Sequence, residues 1–177
     1  NDSAHSALLL RLGFRLHLLA RWRASKVGRA SNALRVACCV DGREAAVDGF
    51  AGLGNEEGRL LAMRALGLSH LDQAVLEGAG PEADRHARKA FPALEFAVAH
   101  LDRDRNLGLW FKTAHAFADL ASQLGAQDRN RDRLTRAQML LGELRRLCVG
   151  PLEAQAPYID KSSAAIDRAL LDWGGQA

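Results

Sequence analysis

Apolar positions recur at helical spacing along most of the chain. Between residues 6 and 26, Leu8, Leu12, Leu16 and Leu19 mark one face. Leu10, Phe14 and Leu18 mark a second, so this helix is expected to be contacted from two sides, with His17 partly buried beside the second set. Residues 107–126 place Trp110, Ala114, Phe117, Ala118, Ala121 and Leu124 on one side at 3.6 residues per turn. Residues 129–148 carry Leu134, Ala137, Leu141, Leu144 and Cys148, close to a heptad seam. A last helix over 159–173 gathers Ile159, Ile166, Leu170 and Trp173.

Punctuation between these stripes predicts where helices begin and end. In residues 34–48, Asp41-Gly42 separates two apolar runs and tolerates the positive φ of a type I′ turn, which allows a small β-hairpin. The same stretch also reads as two short helices around a turn, and its alanine content favours that reading. Asn55 followed by Glu56 and Glu57 is an N-cap signal, with the acids complementing the helix dipole. That helix is expected to stop at Gly67 and a new one to restart at Ser69. Ala79-Gly80-Pro81 ends this segment, and Glu82–Ala90 begins the next. Pro92 lacks a backbone donor and is expected to open a further helix, PALEFAVAHLD. Gly150-Pro151 closes the helix that starts at Arg129.

The expectation is an all-α fold of seven to nine helices, packed as antiparallel hairpins in a bundle or short solenoid, because connections of two to eight residues hold consecutive helices side by side. A length of 177 residues fits one helical domain, 1–177. The chain opens NDSAHSALLLRLGF without a methionine, which points to a fragment of a longer protein, and it carries neither a signal-peptide nor a transit-peptide pattern.

Composition narrows the class without naming a function. Hydrophobic residues are 48% and charged residues 25%, ordinary globular usage that argues against global disorder. The longest apolar run, Val36 to Val40, is far too short to span a bilayer, so no membrane partner is expected. Cys38, Cys39 and Cys148 form no disulfide framework and are expected as reduced thiols of a cytoplasmic protein. The net charge of +3 is unevenly spread. Residues 1–36 hold seven basic groups against one acid, residues 37–102 six against eleven, and residues 103–177 eleven against nine. This asymmetry fits packing between the basic and acidic segments better than single-stranded nucleic-acid binding, because no aromatic residues alternate with the arginines.

His115 lies at the border of the apolar face of 107–126, with Lys112 three residues before it and Asp119 four after. An exposed His–Asp pair at that spacing contributes a few tenths of a kcal/mol at most, roughly, and asks for no function. Ala114 before His115, Phe117 at plus two, Ala121 at plus six and Gly125 at plus ten nevertheless resemble the phosphoaccepting helix of histidine phosphotransfer (HPt) domains. The resemblance implies phosphotransfer through His115. The family's Lys and first Gly are replaced here by Ala118 and Asp119, and an acid at that place would repel a phosphohistidine.

The same region is similar to a tetratricopeptide (TPR) hairpin. Phe117, Ala118, Leu124 and Gly125 resemble its first helix, and Ala137 and Pro151 its later positions. No 34-residue period recurs elsewhere, so the resemblance implies a TPR-like hairpin over 107–151 without an array.

The six histidines include no His-x-x-x-His pair, and no metal or cofactor is expected. No phosphate loop, nucleophile motif or paired catalytic carboxylates stand out. Arg129, Arg131, Arg133 and Arg136 crowd the start of a helix, where cations oppose its dipole, while Asp128 and Asp132 supply local counter-charges. The reading that remains is a regulatory or protein-binding helical module whose partner is another protein or a neighbouring domain. Trp110 and Phe111 are its expected aromatic anchors and the arginines its rim. Phosphotransfer at His115 is the first alternative, and nucleic-acid binding through residues 11–35 and 129–146 the second.

Overall fold

The computed structural model describes residues 29–174. All regular structure among them is helical, and the chain divides into two compact units, Asn1–Leu101 and Asp102–Ala177. The helix expected over 6–26 lies outside the described residues, as does most of the basic 11–35 segment.

In the first unit, α1 (Arg29–Gly52) packs on α2 (Glu56–Glu77), and α2 on α3 (Pro81–His100). The β-hairpin allowed at 34–48 does not form, nor do two short helices: α1 runs unbroken through Asp41-Gly42. The reason is the stripe Val40, Arg43, Ala46 and Phe50, buried at helical spacing across the Asp-Gly pair. Burial along one helical face outweighs a turn preference that nothing else enforces. Phe50, Ala46 and Ala62 form a small core cluster with Val47 against it. The Phe50 ring lies so close to Gly58 of α2 that a Cβ there would come within 2.5 Å of it.

Two further expected breaks are absent. Gly67 does not end a helix, since α2 continues to Glu77 and Ser69, expected as a cap, is buried inside it. Gly67 instead admits Leu94 of α3, whose Cγ would stand 2.7 Å from a Cβ at that position. Pro92 does not open a helix either, because α3 continues through it. Pro92 is exposed, so the missing backbone donor lies on the solvent side of the helix. These fusions leave six α-helices and one 3-10 segment among the described residues, where seven to nine helices were expected in the whole chain.

In the second unit, α4 (Leu107–Gln127) pairs with α5 (Arg131–Arg146), and a 3-10 turn (Gly150–Gln155) leads into α6 (Ala156–Gly174). The six α4 positions expected on the inner side are all buried, as are Leu134, Ala137, Leu141, Leu144 and Cys148. On α6, Ile159 and Ile166 are fully covered. Before α4, Arg103 pairs with Glu143 of α5 and lies over the Trp110 ring, 5.0 Å from its centroid.

The turns of α1–α2 and α4–α5 are built alike, 75 residues apart. Asn55 N–H donates to Phe50 O at 2.9 Å, and Asn130 N–H to Gly125 O at 2.8 Å. Each Asn side chain then caps the following helix, accepting from Gly58 N and from Arg133 N, both at 2.9 Å. The residue before each cap has positive φ: Gly54 at 64° and Arg129 at 50°. Only glycine adopts this conformation without cost, so Arg129 carries strain of roughly 1 kcal/mol. Arg129→Gly is therefore expected to stabilise the second unit by a few tenths to about 1 kcal/mol, read as a higher urea midpoint. An unchanged or lowered midpoint would remove the strain argument.

Candidate functional site

A groove opens between α4 and α6 within the second unit, with a cavity volume of about 480 Å³. That is within the usual range for ligand pockets. From α4 it takes His115, Asp119, Ser122, Gln123 and Ala126, one face at steps of three and four residues. From α6 it takes Tyr158, Lys161, Ser162, Ala165 and Ala169, again at helical steps. The groove exists because α6 is fastened to α5. Gln138 Nε2 donates to Asp167 at 2.7 Å, and Arg145 Nε to Asp160 at 2.7 Å. Towards α4, by contrast, His115 approaches Ser162 at only 3.5 Å, the outer limit of a hydrogen bond. Alanines at 126, 165 and 169 are too small to fill the gap.

His115 meets two polar neighbours, one from each helix that lines the groove. Its Nε2 is 3.4 Å from Asp119 Oδ2 and 3.5 Å from Ser162 Oγ, so both neighbours address the same ring nitrogen. A nucleophile–base–acid relay needs the hydroxyl and the carboxylate on opposite nitrogens. The Ser162 hydroxyl also donates back to Tyr158 O at 3.1 Å, within its own helix. A phosphoryl group on Nε2 would sit beside the Asp119 carboxylate, which repels it.

The other expected site residues are placed as follows. Lys112 is exposed and lies outside the groove lining. Trp110 and Phe111, expected as anchors, are 7% and 2% exposed and fill the interior. Arg129, Arg131 and Arg136 are exposed. Arg133 pairs with Asp128 at 2.7 Å, while the Asn130 cap and Asp132 complement the start of α5, so the chain answers part of this charge itself. Tyr158, Lys161 and Ser162, which complete the groove, carry no motif. Their only sequence signal is the polar face of an amphipathic helix, which any surface helix shares.

A second polar cluster is buried in the first unit. Arg43 is 1% exposed, and its Nη1 donates to Ala65 O at 2.7 Å. Nearby on α2, His70 is 2% exposed, and its Nδ1 lies 3.1 Å from Nδ1 of His86 on α3. Glu44 of α1 stands 3.9 Å from the other nitrogen of His70. His70 carries no motif that marks it for burial. Its partner was legible in principle, since positions 70 and 86 are equidistant from Gly78 at the hairpin tip.

The two rings do not converge on a metal. Their centroids are 5.3 Å apart, close to the largest separation that a 3.1 Å contact between ring nitrogens allows, so each Nδ1 points at the other. Among the described residues no group of three or more His, Cys, Asp or Glu is placed to hold a metal ion, and no helix is long and apolar enough to cross a membrane. Cys148 is a buried free thiol donating to Leu144 O, and burial pushes its pKa up. Comparison with known protein families, curated proteins and solved structures finds no match for this chain.

Proposed function

We propose that this chain is a regulatory helical module of the cytoplasm that binds a segment of another protein, or of a neighbouring domain, in the groove between α4 and α6. One observation carries this reading. Leu134, Leu141, Leu144, Ile159 and Ile166 are buried inside the unit, whereas the space between α4 and α6 stays open, lined by alanines and by ionisable side chains. Alanines let a partner backbone approach closely, while Lys161, Asp119 and Tyr158 offer charge and hydrogen-bond selectivity at the rim. The TPR-like hairpin of α4 and α5 acts as the rigid platform, and the arginines near Arg129 as a charged border. Peptides selected against the full chain from a random library are the direct test. Their binding is expected to fall when the groove is filled by Ala165→Trp and to survive the same change at exposed Val75 of the first unit.

Phosphotransfer through His115 is the second reading, favoured by one feature. The Nε2 side of the ring faces the groove that Lys161 also lines, where a lysine could hold phosphoryl oxygens. Incubation with a phosphorylated receiver domain decides it. Label on wild type that disappears in His115→Gln supports transfer, and no label on wild type removes it.

A further inference from the structure

From the facing Nδ1 atoms of His70 and His86, we infer that the first unit contains an acid-sensitive latch, which joins α2 to α3 while the pair shares one hydrogen bond and releases when both rings are protonated. This inference is independent of the groove, which belongs to the other unit.

The proton inventory follows from the geometry. Two neutral imidazoles facing through Nδ1 form a bond only if one carries its proton there and the other does not. Glu44 Oε1, 3.9 Å from His70 Nε2, favours a proton on that nitrogen and leaves His70 Nδ1 bare. His86 is then the donor, with its Nδ1–H aimed at His70 and its Nε2 unprotonated. A first proton from solvent adds to His86 Nε2, and the bond between the rings survives. A second adds to His70 Nδ1, where two N–H groups then face each other at 3.1 Å and the bond is lost. The same step places a charge on a ring that is 2% exposed.

The surroundings oppose that second proton until the medium is distinctly acid. Burial lowers the His70 pKa to about 4, with His86, Lys89 and Arg85 of α3 adding repulsion. His86 is lowered too, chiefly by burial and then by Arg85 and Lys89, while Glu77 of α2 and Glu82 of α3 act in the opposite direction. From α1 the facing charge is Glu44, half exposed, while the buried Arg43 on the same helix donates its Nη1 to Ala65 O. Gln73 and Glu77 on α2 are bound to one another at 2.7 Å. Arg85 is paired with Glu82 at 2.7 Å, and it and Lys89 both still repel a proton on either ring. The sign is set by linkage. Between the ordinary histidine pKa of 6.5 and about 4, the unfolded chain binds more protons than the folded one. Stability from the latch is therefore complete above pH 6.5 and declines as pH falls toward 4.

The test uses the full chain. Amide exchange, corrected for its intrinsic pH dependence, is followed in α2 and α3 at pH 7 and pH 4.5. Protection is expected to drop roughly tenfold or more in wild type, with little change in α5, and to drop less than about twofold in His70→Gln. Equal drops in wild type and variant would overturn the latch, as would no drop in wild type. Imidazole nitrogen-15 spectra of wild type provide a second readout that requires no variant. His70 is expected to titrate below His86, with a bare Nδ1 at neutral pH. Simultaneous titration near the ordinary value, or a protonated His70 Nδ1 at pH 7, contradicts the inference.

Discussion

Gly67→Val is expected to destabilise the first unit by about 3 kcal/mol, read as a lower urea midpoint at unchanged slope. Gly67 is buried inside α2, and a Cβ there would meet Leu94 Cγ at 2.7 Å, Cδ2 at 2.8 Å and the Leu94 backbone N at 3.2 Å. Leu94 has no exposed surface, so its side chain cannot swing into solvent to make room. The backbone contact means that α3 itself must move away from α2. Even alanine at this site should lose stability, because overpacking typically costs 1–3 kcal/mol, roughly, against a gain of about 1 kcal/mol in helix propensity. Gly42→Ala in α1 supplies the contrast. Nothing lies within 4 Å of a Cβ there, so the propensity gain is kept and stability should rise by up to about 1 kcal/mol, read as a higher midpoint. A Gly67→Val protein as stable as wild type would mean that α2 and α3 do not approach as described.

Ala165→Trp is expected to weaken binding of groove-selected peptides by at least tenfold, and up to about a hundredfold, with only a slight fall in the urea midpoint. Ala165 is exposed on α6 and lines the groove, so an indole there projects into the space a partner would use. The side chain replaces no core contact, and a tryptophan on an exposed helix face costs only a few tenths of a kcal/mol in propensity, roughly. Exclusion of a partner backbone from its central contact is worth about 1.4–2.8 kcal/mol, which is the stated range in affinity. Full binding by Ala165→Trp, with its fold intact, would move the site elsewhere.

What could be read ahead of the structure divides along physical lines. The buried stripes of α4 and α5 depend on helical period alone, and Trp110 to Leu124 and Leu134 to Cys148 were assigned correctly from it. The Asn55 cap is equally local, since its hydrogen bond spans three residues. Gly67, Pro92 and Asp41-Gly42 were misread as breaks because their effect depends on what packs beside them: Leu94 against the first, solvent at the second, and the stripe from Val40 to Phe50 across the third. The groove was only half legible. His115 and Asp119 stood out, whereas Lys161, Ser162 and the alanine floor on α6 acquire meaning only because Asp160 and Asp167 tie that helix to α5. An alanine in a sequence does not reveal whether it permits close packing or leaves a gap. Trp110 and Phe111 illustrate the converse, since large aromatic residues serve a core as readily as an interface.

The most direct measurement is amide shift mapping of the full chain saturated with a library-selected peptide. The largest perturbations are expected along 115–126 of α4 and 158–169 of α6, with α5 and the first unit nearly unchanged. Perturbations centred on the exposed Met139 and Leu171, or confined to the first unit, would contradict the assignment of binding to this groove.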